Sequence, residues 1–385
     1  MRTEGFGGLP PPGSVRPNRV ITERATDGAR RSLQRGDLIT TATTTDAATT
    51  PTKPRAPGSV SDYSDLKRLM TEAGLRDGQP WFYVSKAAFN AIAWAGVIAL
   101  ALWAPHPAVL VASAVLFGIM FTQIGLLGHD IAHRQVFRRG RWVAISGWIL
   151  GNVLMGISYT WWTRKHNQHH ANPNHLTDDP DVDYAILAFS EEQVAMRSNW
   201  AKPIIALQAY LLPFLAAFAW ITIRTPSITL IFGGDMPRRI PQAIGLALHW
   251  SLFVLLLTQL GGWPQALTFF FVSQATFGLY NVSVFAPNHK GMMMLSGDEP
   301  LDFLRTQVLT ARNVKGSRFV DFWYGGLNYQ IEHHLFPTMP RNRLSEAQPL
   351  VEAFCAERGI SYHETTLSTS YREIFGHLKQ AGAAV

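Results

Sequence analysis

The sequence predicts an all-α fold embedded in a membrane, with four transmembrane helices, interfacial helices beside them and a cytoplasmic helical cap. Three observations carry that reading. Hydrophobic residues make up 47% and charged residues only 16% of the 385 positions, whereas soluble domains carry about 25% charge. The charge deficit comes from long apolar runs, which read as spans of one membrane-embedded body and not as several soluble domains. Histidines gather at ligand spacing just beyond those runs, so the cap is expected to hold a His-rich di-metal site.

Residues 1–60 are rich in Thr, Pro, Arg and Gly and show no hydrophobic period. They read as a disordered tail, because such a composition buries too little apolar surface to offset chain entropy, and they lack the apolar stretch of a secretory signal. With nine Lys/Arg against five Asp/Glu, they supply +4 of the formal net charge of +7. The remaining basic residues flank apolar segments, where they report orientation in a bilayer, so the charge does not point to nucleic acid. Residues 61–385 are read as the membrane domain. From Tyr63 to Asp77, Leu66, Leu69, Met70 and Leu75 recur at helical spacing and predict a short amphipathic helix. The single cysteine, Cys355, leaves no internal disulfide and fits a reducing compartment.

Residues 87–104 and 108–128 contain no charged side chain. At 1.5 Å per residue each is about 27 to 32 Å long, enough for the hydrocarbon core. Pro105, His106 and Pro107 separate them as the tip of a helical hairpin. Lys67, Arg68, Arg76 and Lys86 precede the hairpin and Arg134, Arg138, Arg139 and Arg141 follow it, which places the uncharged tip outside. His129 and His133 then emerge on the cytoplasmic side. Trp142 to Ser158 is barely long enough to span, and a crossing there would put the next histidines on the far side of the bilayer. It is therefore expected to be interfacial or shallowly inserted. The same parity applies to Pro203–Ile223, 242–260 and 265–286, of which one must not cross. The connector from Arg224 to Arg239 is basic and reads as cytoplasmic, so Pro203–Ile223, interrupted by Pro213, is the stretch expected to lie along the membrane. Four spans result, at about 87–104, 108–128, 242–260 and 265–286, followed by a cytoplasmic helical cap over 287–385.

His166, His169 and His170 stand at i, i+3 and i+4, which puts three imidazoles on one side of a helix. His129 and His133 form an i, i+4 pair, His333 and His334 are adjacent, and His289 stands alone. Each taken singly also reads as a polar residue at a helix end near the headgroups. Eight histidines in four places exceed the four ligands that close a zinc site and suit two metals instead. Asp130 and Glu332 are the neighbouring carboxylates expected to support the imidazoles. Asp178, Asp179, Asp181 and Asp183 lack the glycine and terminal glutamate of a calcium loop and read as a polar loop, one member of which can orient a histidine. His175 reads as loop, and His249, inside a span, as a hydrogen bond between helices.

HDIAH (129–133), HNQHH (166–170) and QIEHH (330–334) resemble, in order and separation, the three histidine boxes of the membrane-bound fatty acid desaturases. GGLNYQIEHHLFP (325–337) is similar to the third box of the subgroup with Gln in place of the first His. The likeness runs from about residue 80 to the C-terminus. It implies two iron ions held by His129, His133, His166, His169, His170, His289, His333 and His334, with Gln330 either a direct ligand or the holder of a bound water. It also implies dioxygen as co-substrate and removal of two vicinal hydrogens from an acyl chain, as acyl-CoA or acyl-lipid, to leave a cis double bond. No heme or flavin segment is evident, so electrons are expected from a separate ferredoxin or cytochrome with its reductase. Localisation is expected in the cytoplasmic membrane with the active site facing the cytoplasm.

Tyr159, Trp161, Trp162, Phe322, Trp323 and Tyr324 flank the boxes and can line an acyl tunnel or form an interfacial aromatic belt. Arg164, Lys165 and Arg318 fit either a phosphate-bearing head group or ordinary flanking charge. The rival functions are a related di-iron hydroxylase or ketolase acting on alkanes or carotenoids, and a non-enzymatic metal carrier. A carrier calls for ligands within the spans instead of just beyond them.

Overall fold

The computed structural model describes residues 60–104, 106–233, 237–297 and 299–385. The tail expected over residues 1–60 lies outside the described residues, save Val60, which opens the first helix. α1 (Val60–Glu72) buries Leu66 and Met70, two of the four positions marked by helical spacing; it ends before Leu75, which is buried beyond it.

Among the described residues, four helices are long and apolar enough to cross a membrane: α2 (Pro80–Trp103), α3 (Pro107–Ala132), α10 (Arg239–Thr258) and α11 (Trp263–His289). Pro80 and Pro107 stand at the first helical positions, where a missing N–H costs nothing. His106 caps α3, its Nδ1 accepting the Ala108 N–H at 3.2 Å. α3 is the most buried of the four and packs most extensively on α11. A Cβ on Gly118 would meet the Ser273 carbonyl oxygen at 2.4 Å, so only glycine permits this backbone approach. Phe117 stacks on Phe253 at 5.7 Å and joins α10 to the pair. The turns at His106 and Gly261 line one cavity of about 270 Å³, so both hairpin tips share an end of the bundle. His129 and His289 close the opposite ends of α3 and α11.

The stretch after the first box does not form a straight span. α4 (Gly140–Gly147) widens into a π-helical segment, Trp148–Met155, and the chain then turns by 107° into α5 (Tyr159–Ala171). Gly156 makes the corner at φ 69°, and a Cβ there would lie 2.3 Å from the His249 ring. His249 Nδ1 donates to the Val153 carbonyl at 3.0 Å, the interhelical bond expected of it.

α6 (Glu191–Met196) and α7 (Lys202–Ala206) precede α8 (Gln208–Ala217) and α9 (Ala219–Gly233), which meet at a 59° bend. Here the structure corrects the reading of Arg224 as part of a cytoplasmic connector: α9 runs on through it, and Arg224 is 2% exposed. Its guanidinium lies 5.0 to 5.4 Å from the ring centres of Phe121, Trp250 and Phe277 and donates to Gln274 Oε1. Aromatic faces and an amide oxygen accommodate the cation, which a count of loop charges does not register.

The remaining elements form the cap: α12 (Phe303–Leu309), β1 (Asn313–Val314), α13 (Arg318–Tyr324), α14 (Gln330–Leu335), α15 (Leu344–Glu357), β2 (Glu364–Thr365) and α16 (Leu367–Gly382). β1 and β2 pair in parallel, Asn313 opposite Glu364. Leu66 and Met70 of α1 share a core with Leu304, Ile331, Leu335 and Val351, which fixes the third box against the cap.

Candidate metal centre

Three helices deliver the histidines of the three boxes. His129 sits on the last turn of α3 and His133 caps it. Ser158 caps α5 by accepting the Trp161 N–H at 3.2 Å, which starts the helix that carries His166, His169 and His170. α14, with every residue buried, carries His333 and His334.

The eight rings fall into two adjoining groups. His129, His133, His166, His170 and His333 bring one ring nitrogen each to within 4.8 Å of one another, and so do His169, His289 and His334. The three histidines of α5 are therefore divided, His166 and His170 to one group and His169 to the other. The neighbouring His333 and His334 are divided likewise.

The donor chemistry fits a metal in each group. His133 Nε2 lies 2.8 Å from His166 Nε2, which is 3.1 Å from His170 Nε2, itself 3.2 Å from His333 Nε2. Ligands about 2.1 Å from one ion are separated by about 3.0 to 3.4 Å. In the second group the outer nitrogens are committed: His169 Nδ1 donates to Asp179, His289 Nδ1 to the Thr310 carbonyl at 3.0 Å, and His334 Nδ1 to Gln307 Oε1 at 2.8 Å. In a neutral ring the Nε2 lone pair then faces inward. His334 Nε2 is buried without a hydrogen-bond partner. Burial, reinforced by neighbouring imidazoles, pushes His166, His170, His333 and His334 well below the ordinary imidazole range, so they are neutral and free to ligate at pH 7.

The supporting residues partly differ from expectation. Asp179, inside the loop read only as polar, takes the His169 ring at 3.0 Å and the Asn174 N–H at 2.7 Å. Asp130 stands 3.6 Å from His129 Nδ1 and pairs instead with Arg341 Nε at 3.1 Å. Glu332 bonds no histidine: the strand β1 and the segment after α15 reach it first, through Asn313 Nδ2 and Tyr362 Oη, each at 2.7 Å. Burial pushes its carboxyl up to about 7, against the pull of those two donors. The Gln330 amide lies 2.9 Å from His289 Nε2, beside the second group. His175 belongs to neither group; its Nδ1 accepts the Asp178 N–H at 3.2 Å. Gln307, Arg341 and the Thr310 carbonyl carry no local motif, and sequence reasoning missed them.

A cavity of about 450 Å³ opens beside both groups, touching His129, His166, His169, His289 and Gln330. Its wall is mostly apolar, running along Met155, Ile157, Ala219, Ile223 and Phe277. Tyr159, Trp161 and Trp162 line it, whereas Phe322, Trp323 and Tyr324 do not: Trp323 stacks on Tyr280 at 3.8 Å and Phe322 packs edge-on against Phe89. Of the basic residues considered, Lys165 lines the cavity, paired with Asp181; Lys290 lines it too and donates to the Asp181 carbonyl at 2.8 Å. Arg164 and Arg318 do not reach it.

A family model described as fatty acid desaturase matches residues 105–366. A delta(5) fatty acid desaturase of Caenorhabditis elegans is 33% identical over 78% of this chain and 69% of its own length. An acyl-lipid (9-3)-desaturase of Physcomitrium patens is 31% identical over 85% of this chain and 64% of its own, and a delta(8)-fatty-acid desaturase of Euglena gracilis is 33% identical over 78% and 74%. The chain thus spans about two thirds of the length of such relatives.

Proposed function

The chain belongs to the fatty acid desaturase family, and we propose that it removes two vicinal hydrogens from an acyl chain to leave a cis double bond. One O2, two electrons from a separate ferredoxin or cytochrome and two protons are consumed with the two hydrogens, and two waters are released. The observation that carries this reading is the pair of adjoining imidazole groups opening onto one apolar cavity.

His129, His133, His166, His170 and His333 would hold one iron, and His169, His289 and His334 the other, with Gln330 completing the second set directly or through a water. Bound iron would supply activation of dioxygen and with it the oxidising strength for an unactivated C–H bond, which no side chain has. Imidazole suits iron, and neutral ligands leave room for oxygen.

The protein's own residues do the rest. The apolar wall from Met155 to Phe277 takes the acyl chain out of water and holds its reacting carbons beside the histidines. Trp162 stacks on His166 at 4.6 Å and fixes that ring against the chain's path. Asp179, Gln307 and the Thr310 carbonyl fix the tautomers of His169, His334 and His289. We place the histidine end of the bundle at the cytoplasmic face, where basic flanks are concentrated and soluble donors reach it. Lys165 and Lys290 are in position to receive the polar end of an acyl-CoA or acyl-lipid.

Expression in a bacterium without this activity, followed by gas chromatography and mass spectrometry of derivatised lipids, tests the proposal. New cis olefins support it. Hydroxylated or keto products without olefin would transfer the chain to the related oxygenases, and iron exchange without oxygen consumption would make it a carrier.

A further inference from the structure

Building on the metal reading above, we infer that Arg312 is a positioning residue for His289, and that through it the C-terminal helix α16 governs occupancy of the second metal position.

A helix leaves its last four carbonyls without intrahelical partners. α11 ends on His289 in a place water does not reach, with Asn288 fully buried and His289 5% exposed. Its terminal carbonyls are nevertheless all taken. Arg312 Nε donates to Pro287 O at 2.5 Å, the Arg312 backbone N–H to Asn288 O at 2.9 Å, and Arg312 Nη2 to Lys290 O. Asn174 Nδ2 takes the remaining His289 O at 3.1 Å. Two residues before Arg312, the Thr310 carbonyl receives His289 Nδ1. One short segment thus fixes both the backbone on either side of His289 and the tilt of its ring.

The guanidinium is completely buried and lies at a helix C-terminus, where positive charge is favoured. Its last nitrogen, Nη1, donates to Glu373 of α16, the one carboxylate paired with it among the described residues. A planar fork reaching three acceptors in different directions is something arginine offers and lysine does not. Glu373 keeps 32% of its side-chain surface exposed. Removing its charge therefore loosens the clamp without opening a core cavity.

The test is an Fe(II) titration of the full-length protein in detergent, with iron per chain read by plasma mass spectrometry. Arg312→Lys, Glu373→Gln and, as an exposed control on the same helix, Arg372→Gln are compared with the wild type. Partners of metal ligands typically govern affinity by about 10–100-fold. Glu373→Gln should weaken the second iron by that factor, giving about one iron per chain where the wild type binds two, and excess Fe(II) should restore it. Arg312→Lys should lose the second iron more completely, and Arg372→Gln should keep both. Should Arg312→Lys fail to fold, Glu373→Gln decides alone. Wild-type affinity at both positions in a monodisperse Glu373→Gln protein overturns the inference and leaves the metal reading standing. A wild type that binds no iron overturns both.

Discussion

The rings of His170 and His334 stack at 4.3 Å with their planes 22° apart, although the two residues belong to different histidine groups. The two groups are therefore neighbours, and on the proposed function neither is expected to support turnover alone. His170→Ala and His334→Ala should each abolish olefin formation while leaving the amount of protein in the membrane fraction unchanged. Lipid analysis beside immunoblots of membranes checks both halves.

Asp179 is buried and receives His169 Nδ1. Asp179→Asn keeps the shape and removes the charge that strengthens the ring as a donor. Iron affinity at the second position should fall by about 10–100-fold, with little change at the first. Competition with a chelator of known affinity measures it.

Asp130 and Arg341 form an ion pair whose side chains are 2% and 5% exposed, joining the first box to the segment after the third. Breaking a buried pair from one side leaves an uncompensated charge and costs about 3–5 kcal/mol. Arg341→Ala should lower the thermal midpoint of the purified protein far more than Arg343→Ala, which breaks a solvent-facing contact to Glu346. Scanning fluorimetry of the two variants makes the comparison.

Ala219 lines the cavity along its apolar wall. Ala219→Trp places a large ring in the acyl path without touching a histidine. Conversion of long acyl chains should fall by at least tenfold while both irons remain bound, and any residual product should shift toward shorter chains.

The four spans and the histidine clusters were legible because both signals are local: uncharged runs declare a helix in lipid, and ligand spacing declares a shared side of a helix. The division of α5 between the two histidine groups was not legible. It depends on where α14 and the end of α11 arrive, and nothing in HNQHH records that. Arg224 misled because loop charge reports sidedness only for residues that stay in water, and this one is sheltered by Phe121, Trp250 and Phe277. Asp130 and Glu332 were identifiable as carboxylates beside histidines, but their partners Arg341, Asn313 and Tyr362 come from distant segments. Aromatic residues near the boxes divided the same way: those on α5 face the cavity, whereas Trp323 and Tyr324 on α13 pack in one cluster with Leu126 of α3 and Tyr280 and Val284 of α11.

The most direct test is an anomalous difference map at the iron edge from crystals of the iron-loaded protein. Two peaks are expected, one enclosed by His129, His133, His166, His170 and His333 and the other by His169, His289 and His334. A single peak, or none within these rings, would contradict the account.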